Sequence, residues 1–196
     1  SVKIRNCSAA GILSRNYSIE ATNLFVGDCG QYGVALTGGG DYTMEHFTIA
    51  NYWNYGIRQT PAFYINNVYA DINNTLQVRQ VRGRFQNGIV YGTNENEFQF
   101  EFNDLQPPAD LLFNNTLVRT TQSTSGSAYF DGSTIYRNQS PGFLDAAERD
   151  FRLSAGAFAR NKAVPGTSLP GSPFDLNGVD RGANGEWDLG CYEYVP

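Results

Sequence analysis

Charge is scarce in this sequence. Asp, Glu, Lys and Arg make up 17% of the 196 residues, and lysine occurs only at Lys3 and Lys162. The net charge is −5, and no basic stripe of the kind that neutralises phosphates is present. The nearest candidate, Arg79, Arg82 and Arg84, stands among acidic neighbours, so nucleic acid is not an expected partner. Histidine occurs once, at His46, which argues against a His-based metal site or a Ser/His/Asp triad. The three cysteines, Cys7, Cys29 and Cys191, make no disulfide framework and have no zinc spacing. There is no signal peptide and no apolar run of membrane-spanning length. The opening residues Ser1 to Asn6 already read as a strand, as in a mature or truncated piece of a longer protein.

What fills the chain instead is a repeat. Val2 to Cys7, Leu24 to Cys29 and Phe47 to Tyr52 align, each followed by a glycine-led stretch at Gly11, Gly33 and Gly56. Val2, Leu24 and Phe47 share one apolar column, and Ile4, Val26 and Ile49 share the next, two residues on. Alternation of this kind is the strand period. Lys3, Phe25 and Thr48, then Arg5, Gly27 and Ala50, are therefore predicted to face outward. Asn87 to Tyr91 reads as a looser fourth copy. A period of about 22 residues indicates an all-β fold, a right-handed parallel β-helix in which like residues stack between coils. Asn6, Asp28 and Asn51 form a polar turn column. Cys7 and Cys29 fall on adjacent coils, either as a buried thiol stack or as a disulfide.

Phe63 to Tyr69, Glu97 to Phe102 and Leu111 to Arg119 continue as strands, with Phe98, Phe100 and Phe102 on one face. Pro107-Pro108 is predicted to break the chain, and Thr120 to Ser127 is the best candidate for a flexible loop. Residues 1–139 are read as coils. Residues 140–196 lose the repeat and are read as a C-terminal capping segment of the same domain, because an open solenoid end exposes its core.

That tail resembles the C-terminal segment of secreted bacterial right-handed β-helix proteins of the polysaccharide-lyase-like type, many from Bacteroidetes. The resemblance rests on Pro141, Phe143, Asp150 to Leu153, Asp175, Gly178, Arg181, Asp188, Gly190 and Tyr192 to Tyr194, with Asn87 to Gly92 upstream. It covers roughly the last 110 residues. Cys191 stands where the family has a small Ala, and Ala157 to Asn161 lacks the family's Pro. The resemblance implies an exported protein at the cell surface, in the outer membrane or in the periplasm. A lipid anchor would lie N-terminal to this chain. Polysaccharide is the implied partner.

Three functions compete: binding or helping to process polysaccharide, a lyase or glycoside hydrolase with its site on these coils, and a surface adhesin or spacer. A lyase needs a base and positive charge. Lys3, Arg5, Arg58 and His46, with Arg79, Arg82 and Arg84, supply the candidates. A hydrolase needs paired carboxylates, for which Asp28, Asp41 and Glu45 are nearest. Tyr32, Trp53 and Tyr55 could present flat faces to sugar rings, Tyr32 and Tyr55 sharing a column. Asp175 to Asp180 has the oxygen-rich look of a calcium loop or of an ordinary turn; no other cofactor is implied. Asn-x-Ser/Thr triplets such as Asn6-Cys7-Ser8 and Asn114-Asn115-Thr116 are expected by chance in so Asn-rich a chain.

Overall fold

The structure is a computed structural model that describes residues 1–103, 109–166, 173–183 and 185–196. It is all-β, with no helix among the described residues. Six strands form one parallel sheet in the order β1 (Val2–Cys7), β3 (Ser18–Cys29), β5 (Gly40–Asn51), β9 (Val81–Gly92), β11 (Asp110–Val118) and β12 (Ile135–Arg137). Four more, β2 (Ile12–Arg15), β4 (Val34–Thr37), β6 (Phe63–Asn66) and β10 (Phe98–Glu101), form a second parallel sheet. Up to β10 the chain alternates between the two, so each pass contributes a strand to both; β11 and β12 then follow one another in the long sheet. Two antiparallel hairpins stand apart, β7 (Val68–Ala70) with β8 (Leu76–Val78), and β13 (Phe143–Asp145) with β14 (Asp150–Leu153).

The strand register matches the apolar columns read from the sequence. Val2 pairs with Leu24 and Ile4 with Val26, then Leu24 with Phe47 and Val26 with Ile49. Stacked like residues fill the space between the sheets. Farther along, the filling becomes aromatic: Phe85 stacks on Phe113 at 4.3 Å between ring centroids, and Phe63 on Phe98 at 5.3 Å. Fully burying one such ring contributes about 1.5–3 kcal/mol, and Phe100 and Phe102 extend the cluster as their alternation predicted.

Two features of the repeat differ from the sequence reading. The third pass is longer, advancing from Thr48 to its partner Ile89, because it carries the loop from Tyr52 to Pro61 and the β7–β8 hairpin. Gly56 therefore leads no strand, and Ile57 is 93% exposed. Ala62 takes the place expected for Gly56, since its carbonyl accepts the Val34 amide as that of Gly33 accepts the Ile12 amide. Likewise Asn87 to Tyr91 belongs to the long sheet, where Ile89 pairs with Thr48. The proposed break at Pro107-Pro108 lies outside the described residues.

Each long strand bends part-way along at a residue with positive φ: Asn23 (52°), His46 (51°), Asn87 (57°) and Asn115 (44°). Asn is among the few residues that adopt this conformation readily. The register places these four in one column across β3, β5, β9 and β11. The column of Asn6, Asp28 and Asn51 behaves less uniformly. Asn6 and Asp28 have positive φ, Asn51 reaches back to the Cys29 amide and the Gln31 carbonyl, and Asp28 is an ion-pair centre described below.

The free edge of β10 is closed by a side chain. The Gln122 carboxamide accepts from the Phe100 amide and donates to the Phe100 carbonyl, standing in for a neighbouring strand. Thr120, at the start of the loop expected to be flexible, is fully buried, and its hydroxyl donates to Asn96 and to the Phe98 carbonyl.

The tail, expected to close an open end, makes its contacts along the side of the long sheet. Phe25, Thr48 and Ala50 do point away from the space between the sheets, yet all are buried. Phe151, Cys191 and Tyr192 pack on Phe25 and Ala50. Leu153, Ala157, Ala159 and Leu189 pack on Ile89 and Leu117. Polar bonds pin the seam at the bend column. Asn23 donates to the Phe174 carbonyl, Asn87 exchanges two bonds with the Val164 backbone, and Asn115 donates to the Lys162 carbonyl.

Candidate functional site

The sequence candidates separate into several places. Lys3 and Arg5 lie together on the outward face of β1. Lys3 Nζ sits 5.6 Å from the Phe25 ring centroid and 5.8 Å from that of Tyr192. Arg5 donates to Asp28 at 3.2 Å. His46, a candidate base, sits beside Asn23 on the outward side of the long sheet but is wholly buried under the tail against Trp187. The Val164 backbone fixes the Asn87 amide so that its Nδ2 donates to His46 Nε2 at 3.0 Å. Nε2 is thus the unprotonated nitrogen. Burial, with the Arg181 charge adding to it, pushes the imidazole down to about 3. His46 is closed off from solvent and holds the tail.

Arg58 is also withdrawn from solvent. Its guanidinium grips the fully buried Glu97 with both terminal nitrogens and reaches the Asn51 and Thr60 carbonyls. Glu97 further accepts the Ala62 and Asn94 amides. This pair ties down the inserted loop. The aromatic candidates lie at that corner but do not form one column. Tyr32 packs on Tyr64 at 5.5 Å, while Trp53 packs on Tyr55 at 5.0 Å. Tyr55 is 78% exposed.

The candidate carboxylates do not converge. Asp28 is buried and held by Arg5 and Arg149, and Asp41 is an exposed partner of Arg82. Glu45 is buried on β5. Arg84 pairs with Asp110 in the same way as Arg82 with Asp41, so those arginines are exposed and matched. Asp175 commits its carboxylate to the Asn177, Val179 and Glu193 amides, which is turn chemistry. Among the described residues no group of three or more His, Cys, Asp or Glu is placed to hold a metal ion. Cys7 and Cys29 are neighbours in register with free thiols. Each thiol donates to the carbonyl two residues back, and burial pushes Cys29 up to about 12.

One place collects more positive than negative charge. A cleft of about 240 Å³ lies where β1 meets the β13–β14 hairpin and the Asp175 turn, walled by Lys3, Arg149, Asp150, Phe151, Arg152, Asn177 and Tyr192. The hairpin turn puts Arg149 in a positive-φ conformation and directs its guanidinium at Asp28, 3.1 Å away. Arg152, on the exposed face of β14, pairs with Asp150 through two nitrogens. That pairing holds the Asp150 carboxyl below the usual carboxylate range, and Lys3 adds to the effect. The cleft wall thus carries three cations, Lys3, Arg149 and Arg152, against one carboxylate, Asp150, and Arg149 shares the buried Asp28 with Arg5. Lys3 itself makes no ion pair among the described residues. In a chain of net charge −5 this is a local excess of positive charge.

Sequence reasoning found Lys3 and Arg5 but missed Arg149, Arg152, Asn177 and Tyr192 as site residues. The available signal was the hairpin motif Asp150 to Leu153, whose exposed Arg152 alternates with buried Phe151 and Leu153. No protein-family model, curated protein or solved structure matches this chain.

Proposed function

We propose that the protein is a right-handed parallel β-helix, exported to the cell surface or periplasm, that binds an acidic polysaccharide in the cleft between β1 and the β13–β14 hairpin. The carrying observation is the Lys3 ammonium, without an ion pair among the described residues, in a cleft whose wall holds three cations and one carboxylate. A uronate carboxylate would complete that balance. Arg152, held on Asp150 through Nε and one terminal nitrogen, keeps its other terminal nitrogen for a second oxygen, and Asn177 supplies neutral hydrogen-bonding groups for hydroxyls. The alternating passes and stacked columns support the β-helix reading.

Binding is favoured over catalysis. A lyase needs a group near neutrality to take a proton. Asp150 is tied to Arg152, and burial pushes the Tyr192 phenol above its ordinary range. A hydrolase needs two carboxyls flanking one bond, and Asp28 and Asp150 are each engaged by arginine.

Calorimetry of the full chain with uronate polymers tests the proposal. Lys3→Ala with Arg152→Ala is expected to weaken binding at least about tenfold, as loss of charge-assisted bonds does. Neutral polymers should bind no better to wild type than to the variant. Absence of binding to every acidic polymer would sink the reading, and appearance of unsaturated products would replace it with a lyase.

A further inference from the structure

The basic cleft does not stop at Arg152. Arg152 and Asn177 also wall a second hollow of about 510 Å³. That hollow shares Val179, Glu193, Tyr194 and Val195 with a third of about 250 Å³. The three lie in series along the tail, and their chemistry changes from one to the next. Cations dominate the first. The second brings in Leu144 and Val195, which are 52% and 58% exposed. In the third, the Arg160 guanidinium lies over the Tyr194 ring at 3.9 Å, with Val179, Ala183 and Pro196 around it. Glu193 adds little charge to the surface, because it is 6% exposed and turned to Arg181 at 3.1 Å.

We infer that the three hollows bind one acidic polysaccharide chain whose units carry methyl-bearing substituents, O-acetyl groups being the simplest. The carboxylate sits against Lys3, and the substituent methyls sit against Leu144, Val179 and Val195. This rests on the acidic-polysaccharide reading and narrows its substrate class. Charge complementarity fixes which end takes the anion. A lipid tail would need an unbroken apolar channel, whereas Asn177, Ser154 and Asp180 interrupt this one. A substituted sugar chain presents the same alternation of methyl and hydroxyl.

The test compares an acetylated uronate polymer with the same polymer after mild alkaline deacetylation, by calorimetry on the full chain. The acetylated form is expected to bind about tenfold tighter, the usual discrimination of an apolar pocket for one small group. Val195→Asp and Leu144→Asp, both at exposed positions that leave the core intact, are expected to bring that ratio toward one. Equal affinity of wild type for the two forms overturns the inference and leaves the acidic-polysaccharide reading standing. No binding of either form overturns both. Tighter binding to anionic phospholipid vesicles than to either polymer overturns the inference in favour of a lipid.

Discussion

His46 occupies a position that its neighbours in the column give to asparagine. Asn23, Asn87 and Asn115 share its left-handed backbone and its role against the tail. Its distinguishing property is that it titrates. In the folded protein the imidazole stays neutral down to about 3, against 6.5 for a free histidine. Between those values the unfolded chain binds the extra proton and the folded chain does not. The contribution of His46 to stability is therefore complete above about pH 6.5 and is lost as pH drops toward 3. His46→Asn keeps the backbone preference and removes the proton. Urea titrations across pH 4 to 7 should show the variant losing less stability than wild type, by roughly 1–3 kcal/mol at the acid end. Parallel curves for the two proteins would refute this account of His46.

At the scale of the element, the strands of the long sheet were legible in the sequence and the bend column was not. The apolar columns repeat a residue type at each pass, so Val2, Leu24 and Phe47 align by inspection. Asn23, His46, Asn87 and Asn115 are spaced unevenly, because the third pass carries the Tyr52 to Pro61 loop and the β7–β8 hairpin. The same insertion made Gly56 look like the start of a strand. Burial of Arg58 could not be foreseen, since its partner Glu97 lies on the next pass, 39 residues away. The cleft was half legible: Lys3 and Arg5 stand out as basic residues at outward positions, but Arg149 and Arg152 reach them only because the tail folds back. The seam makes a prediction of its own. Asn87→Ala removes two bonds to Val164 and places alanine at a φ of 57°. A loss of about 2–3 kcal/mol is expected. Hydrogen exchange should show protection falling in residues 159–164 and 187–191 before it falls in β5 or β9. Uniform loss across the chain would show that the tail and sheet unfold as one unit.

At the scale of the molecule, the tail and the repeat are two halves of one core. The outward column Phe25, Thr48, Ile89 and Leu117 is largely apolar and is fully covered. A chain ending at residue 139 would expose it as a continuous apolar face. Such a fragment is expected to bind a hydrophobic dye and to elute as aggregates in size-exclusion chromatography, whereas the full chain should do neither. A soluble, cooperatively folding fragment would show that the sheets are self-sufficient and that the tail is an accessory.

The bend column also bears on how such a chain can change in length. At the bend column every pass meets the tail: Asn23 meets Phe174 and Arg181, His46 meets Trp187, Asn87 meets Val164, and Asn115 meets Lys162. A pass added or deleted between β3 and β11 would shift every later contact by one strand spacing, about 4.8 Å, and the tail could no longer reach them all. Insertions within a pass, such as the β7–β8 hairpin, leave the spacing untouched. The tail acts as a gauge that fixes the number of passes it spans while leaving their corners free to diversify.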